Sequence, residues 1–349
     1  MQQILAIYCI VSLNRHRKIP HLRCRIPNLP WRWPDRLRVD REQVARYLPG
    51  SVMINHQPDQ ASGLRQLAAL GVEQGVRVFA VVGGRTSVGK TSTVINLAIA
   101  LTRMGKRVLI LDENPRHNDV NANFGLKARY DLQHVINRDK LLDEVITRGP
   151  GGVQVLTAMR GIHSLAKLMP HDQDWLINCF GEISQLVDVV LIDTAIGAAS
   201  RVVSLSLASQ QVLIVLSGSG QSITDAYALI KLISQEYARR DFLVLVNKVA
   251  SLTVGQAIFD NVAAVARKHL SVRLESLGCI PFDDKLQRAS HLCQSVVDIF
   301  PDSLSATSYR HLADGLLRGP YSGNQNDGVE NFMQRLIRIS HLDKVDFTV

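Results

Sequence analysis

A doubly wound α/β domain, with a mainly parallel sheet flanked by helices, is the fold class this sequence predicts. Three observations carry it. A strand, a glycine-containing loop and a helix follow one another around residues 83–92, strands and helices alternate from residue 76 to about 318, and several strands are unbroken apolar runs. Val189-Val190-Leu191-Ile192 and Val212-Leu213-Ile214-Val215-Leu216 read as strands buried on both faces. Alternation with helices makes the connections parallel crossovers.

With 349 residues, 46% of them hydrophobic, the chain can bury one large core and carry appendages. Its five cysteines show no paired spacing, so neither a disulfide framework nor a zinc site is indicated, as suits a reducing cytoplasm. No apolar run approaches the ~18–20 residues that span a bilayer. The formal charge of +9 is concentrated at the start: residues 1–52 hold ten Lys/Arg against three Asp/Glu, and the rest holds 30 against 28. The main body is therefore not a basic nucleic-acid surface.

Taken in order, residues 1–52 lack helical or strand periodicity and are rich in Arg, Pro and Trp. They are read as a disordered extension, or as a start assigned upstream of Met53; a basic arm touching lipid or nucleic acid is the alternative. Within 53–75, residues 58–70 form a short helix stopped by Gly71, which by itself would be a fraying end.

Val76–Val82 is the first strand. Residues 84–91 then satisfy G-x-x-x-x-G-K-[ST], as Gly84-Arg85-Thr86-Ser87-Val88-Gly89-Lys90-Thr91, with Ser92 following. In such a loop backbone N–H groups cradle phosphates, the Lys reaches them, and the Thr hydroxyl coordinates Mg²⁺. Val94, Leu97, Ala98, Leu101 and Met104 recur at helical spacing until Gly105, so a helix N-terminus faces the bound anion. This is a nucleotide site, with Mg²⁺ expected beside the phosphates.

Later strands fit 107–111, 153–156, 188–192, 211–216, 242–247 and 273–280, and helices fit 172–187, 222–238, 255–269 and 303–317. Ligands in such sheets bind beyond the carboxyl ends of strands. Asp112 and Asp193 each follow an apolar strand and suit Mg²⁺, a hard cation that wants oxygen ligands. Asn247 and Lys248 end another strand, where they would meet a nucleobase edge. After a linker at 319–328, residues 329–349 form an amphipathic helix and tail with Phe332, Met333, Leu336 and Ile337 on one face. That face suits reversible membrane-surface contact, a partner's groove, or docking on its own domain.

Across 76–318 these features resemble the MinD/ParA class of deviant P-loop ATPases. Within it, the chain is similar to the FlhG (FleN) group of flagellar-number regulators. Asp59-Gln60-Ala61-Ser62-Gly63-Leu64-Arg65 matches that group's D-Q-A-x-x-L-R motif, and Ser222–Lys231 resembles its segment after the fourth core strand. The resemblance implies that Asp59, Gln60, Ala61, Leu64 and Arg65 stimulate an FlhF-type GTPase. It also implies flagellar basal-body or regulatory partners, an ATP-dependent homodimer, and a cytoplasmic protein peripheral to the inner membrane. DNA partition is the less favoured reading, and an iron–sulfur role lacks suitable cysteines.

The chain departs from the family at its chemistry. Arg85 stands in the signature-lysine position, and Thr86 and Ser87 replace glycines of K-G-G-x-G-K-[ST]. The switch D-x-D is Asp112-Glu113-Asn114, which puts a neutral amide where a carboxylate orients the attacking water. The D-[TS]-P-A-G switch is retained at Asp193 and Gly197 but has Ala195 for Pro. Lys90, Arg85 and Asn114 are the catalytic candidates. A slow ATPase switch and a non-hydrolysing nucleotide-binding regulator both remain open at this stage.

Overall fold

The structure, a computed structural model, describes residues 75–114, 119–195, 199–319 and 328–342. The motif residues Asp59, Gln60, Ala61, Leu64 and Arg65, with Gly197 and the linker at 320–327, lie outside them.

Eight strands form one sheet: β1 Arg77–Val82, β2 Val108–Asp112, β3 Thr147–Arg148, β4 Gln154–Thr157, β5 Val189–Asp193, β6 Gln211–Ser217, β7 Asp241–Val249 and β8 Arg273–Pro281. The helices are α1 Lys90–Arg103, α2 Val120–Asn123, α3 Leu132–Ile136, α4 Leu142–Val145, α5 Met159–Leu165, α6 Pro170–Ser184, α7 Ala199–Ala208, α8 Gly220–Tyr237, α9 Leu252–Leu270, α10 Asp284–His291, α11 Val296–Ile299, α12 Leu304–Arg318 and α13 Val329–Leu342. The sheet order is β3-β4-β2-β5-β1-β6-β7-β8. Every pairing is parallel except β3 with β4.

Alternate residues of each strand feed two separate cores. On β1, Val78, Ala80 and Val82 face one core, while Phe79 and Val81 face the other. The first is covered by α6, α8 and α13; the second by α1 and α12, where Leu97, Leu101, Tyr309 and Leu312 interdigitate. Both sheet faces are thus dry, which is why the strand sequences are runs and not alternations.

The sequence reading missed β3 and the short helices α2, α3, α4, α5, α10 and α11, as well as α7. Several span about one turn, too short for a period to register. Two of them start on a single side chain: Asp119 accepts from Ala122 N–H (2.6 Å) at α2, and Ser295 from Val297 N–H (3.1 Å) at α11.

The last helix corrects one expectation. Phe332, Met333, Leu336 and Ile337 are 1%, 0%, 0% and 2% exposed and belong to the first core, so they are not offered to a membrane in this structure. The face packs on α6 and α7. Polar clips hold it: Ser184 Oγ donates to Glu330 (2.5 Å), Val329 N–H donates to Ser184 Oγ (2.7 Å), and Arg335 Nε donates to the Ala208 carbonyl (3.0 Å). Amphipathic spacing alone cannot tell a bilayer from a groove in the same molecule.

Candidate functional site

Register brings the site together. β2 and β5 are neighbours with Asp112 paired to Asp193, and Val81 of β1 is also paired to Asp193. Two carboxylates distant in sequence therefore end adjacent strands at one level, beside the loop that leaves β1.

That loop runs tightly. A side chain at Gly84 would come within 2.5 Å of the Asp225 backbone on α8, and one at Gly89 would strike the Asn247 amide. Gly89 has φ 93°, and Ser87 also sits in the left-handed region at φ 64°. Of the two residues that replace family glycines, Ser87 alone is placed where glycine is preferred; Thr86 is exposed and has no positive φ. No side chain caps α1, so its first N–H groups remain available to an anion.

Lys90 is buried at the start of α1. Burial lowers its ammonium pKa, while the Asp193 and Glu113 carboxylates raise it. Asp193 is fully buried and pushed up to about 8, first by burial and then by the Asp112 charge. The Thr91 hydroxyl and Lys90 oppose that shift, yet neither Asp193 oxygen accepts a hydrogen bond of good geometry. Burial pushes Asp112 to about 6 against three hydrogen bonds: from Val120 N–H (2.6 Å), Asn114 N–H (2.9 Å) and Asn114 Nδ2 (3.0 Å).

An unsatisfied buried carboxylate beside a threonine hydroxyl and a lysine fits a hard divalent cation. Among the described residues no three His, Cys, Asp or Glu form a closed cage. A hydroxyl and strand-end carboxylates are oxygen donors of the kind Mg²⁺ takes, a cation held by one or two protein groups that completes its shell with phosphate and water. Thr91, Asp193 and Asp112 are the residues that would hold it.

Three sequence-predicted residues make contacts around the phosphate loop and strand ends that their spacing did not indicate. Asn247 is buried: its Nδ2 donates to the Val88 carbonyl (2.9 Å), and its Oδ1 accepts from Lys248 N–H (2.8 Å). Lys248 Nζ donates to the Ser87 carbonyl (2.8 Å). Both residues buttress the phosphate loop from β7, because the turn after β7 lies against it. Asn114 is turned toward Asp112 and, at 3.4 Å, the Asp193 carbonyl, so its amide donor is spent on the strand ends. Arg85 lies 3.9 Å from Asp225, half-exposed. Ser92 follows Thr91 in α1, where its carbonyl accepts from Asn96 Nδ2 (2.7 Å).

Glu113 was not singled out from the sequence. It is fully buried between the two switches: its N–H donates to the Asp193 carbonyl (3.0 Å), and its Oε2 accepts from Ala195 N–H (2.9 Å). Only its place between Asp112 and Asn114 could have pointed to it, since a lone Glu after a strand has no period or spacing.

A phosphate loop between β1 and α1, with two in-register strand-end aspartates and a buried lysine, defines a P-loop nucleotide-binding protein. The chain belongs to the CobQ/CobB/MinD/ParA nucleotide-binding family, whose profile matches residues 79–294. It is 36% identical to the antiactivator FleN of Pseudomonas aeruginosa, over 75% of this chain and 94% of that one. It is 26% identical to the flagellum site-determining protein YlxH of Helicobacter pylori, over 75% and 90%. Among solved structures, Aquifex aeolicus MinD superposes with TM-score 0.55 at 21% identity, covering 70% of this chain and 98% of that one. Pyrococcus horikoshii MinD complexed with Mg-ADP does so at 0.52 and 18%, covering 68% and 95%. The structural likenesses speak for the fold alone.

Proposed function

We propose that the protein is a nucleotide-controlled regulator of flagellar number of the FleN kind, which binds ATP with Mg²⁺. The observation that carries the nucleotide reading is the buried Lys90–Asp193 arrangement at the open N-terminus of α1. The likeness to FleN over nearly that protein's whole length supports the flagellar part.

Bound Mg²⁺ would supply charge that neutralises the phosphates. The chain's own residues do the rest. Backbone N–H groups of the loop and the first turn of α1 bind phosphate oxygens, and Lys90 adds a dry positive charge. Asn247 and Lys248 hold loop carbonyls on the β7 side. Glu113 bridges the two switch strands, so a change at one strand end is felt at the other. In this reading the ATP form is a homodimer, and residues 59–65 act on an FlhF-type GTPase. Contact with the inner membrane would require α13 to leave its groove.

One observation favours a second reading, a regulator that binds ATP without turning it over: Asn114 donates to Asp112 and is neutral, so it does not polarise a water as a carboxylate would. Purified protein assayed in parallel for ATP binding, dimer mass and phosphate release decides. Lys90→Ala should abolish binding; binding equal to that of the unaltered protein overturns the site. Phosphate release above the Lys90→Ala background selects the ATPase, and its absence selects the binder. Asn114→Asp gaining release would locate the defect.

A further inference from the structure

The end of the sheet opposite the nucleotide site carries its own charged cleft. The N-terminal ends of β6, β7 and β8 begin with Gln211, Asp241 and Arg273. Two adjoining hollows, of about 340 and 380 Å³, open there and share Arg240 and Arg273 as wall residues. Arg239 lines the first and Arg267 the second.

Two of the arginines are positioned by backbone carbonyls. Arg239 donates through Nη1 to the carbonyls of Ser206 (2.8 Å) and Ser209 (3.1 Å), and through Nη2 to that of Gln210 (2.5 Å). Arg240 donates to the Leu270 carbonyl (3.1 Å). These bonds go to carbonyl dipoles, which orient a guanidinium without cancelling its charge. Burial lowers the Arg239 pKa to about 10 even with the Asp241 carboxylate opposing the shift, so a further anion nearby would relieve part of that cost. Arg273 alone is paired, with Asp241 at 2.8 Å. Arg267, in the exposed last turn of α9, forms no ion pair among the described residues and is followed there by Lys268 and His269.

We propose that this cleft binds an acidic peptide segment of a protein partner, whose carboxylates meet Arg240, which borders both hollows, and Arg267 in the second. The guanidinium fork matches a carboxylate in bidentate fashion. Arginines already held by carbonyls lose little freedom on binding. Two features select peptide over nucleic acid. Asp241 and Glu275 lie in the wall of the first hollow, where they repel a continuous phosphate backbone, whereas a peptide with spaced carboxylates can set its N–H groups against them. The cleft also lacks a stacking platform, because Phe242 is 2% exposed.

The test uses full-length protein saturated with Mg-ATP, so that the phosphate loop is occupied, and a fluorescein-labelled ten-residue peptide of alternating glutamate and glycine as probe. A ten-residue single-stranded oligonucleotide and inorganic phosphate serve as competitors. We expect saturable peptide binding that weakens at least tenfold in Arg240→Ala/Arg267→Glu. ATP affinity should stay unchanged, and Arg267→Glu alone, which removes no side-chain hydrogen bond among the described residues, should show part of the loss at an unchanged melting temperature. Peptide affinity equal in the wild type and the double variant overturns the assignment and locates the contact on another basic segment, such as residues 1–52. Absence of wild-type binding also overturns it, and so does displacement of the peptide by the oligonucleotide at lower concentration than by unlabelled peptide, which would make the cleft a nucleic-acid contact.

Discussion

The side-chain amide of Asn247 donates to the backbone carbonyl of Val88 at 2.9 Å, tying the end of β7 to the phosphate loop. A residue placed by its sequence against a nucleobase thus supports the phosphate cradle. Its strand position was legible, but which loop lay across it was not.

Asn247→Ala leaves the Val88 carbonyl without this partner. An unmet buried acceptor costs about 1–3 kcal/mol. Because the lost bond positions the loop, we expect nucleotide affinity to fall roughly tenfold or more, about 1.4 kcal/mol per decade. Titration with a fluorescent ATP analogue measures it, and an unchanged dissociation constant would remove the buttressing role.

Ser87 occupies the left-handed region at φ 64°. A β-branched residue tolerates that poorly, so Ser87→Val should lower stability by about 1–3 kcal/mol, whereas Ser87→Gly should match or exceed wild type. Thermal melts of the two variants give the comparison. If both melt alike, the loop does not hold that conformation in solution.

Asp193 and Asp112 have folded-state pKa values raised to about 8 and about 6, chiefly by burial. In metal-free, nucleotide-free protein the folded state therefore keeps protons that the unfolded chain has already released. Stability from these two groups is greatest near pH 4 and declines as pH rises toward 8. Asp193→Asn should flatten that decline. Chemical denaturation in chelator at several pH values tests it, and parallel curves for both proteins would contradict the assignment.

The α13 helix is part of the core, not an appendage in this structure. Phe332→Ala should cost about 3–5 kcal/mol, as large aromatic truncations in packed cores do. Removing residues 329–349 should expose the apolar surface of α6 and α7 and bind a hydrophobic dye. Unchanged melting in both would mean that the helix is undocked in solution, and flotation of the intact protein with anionic liposomes would then be expected.

By itself the sequence determined the phosphate loop, the two strand-end aspartates, the main strands and long helices, and the family. All of these rest on local signals: a run of apolar residues, a fixed glycine–lysine spacing, a helical period. What only the tertiary structure decided is where each polar end and apolar face is used. Asp112 and Asp193 became one site through the β2–β5 register, Glu113 through burial between the switches, and Phe332 through the groove it fills. Lys90, identified by its motif, acquired its electrostatic setting in the same way. The physical reason is common to all four. Local spacing sets a residue's secondary structure and the face it presents, but desolvation and Coulomb interaction depend on which distant segment arrives beside it.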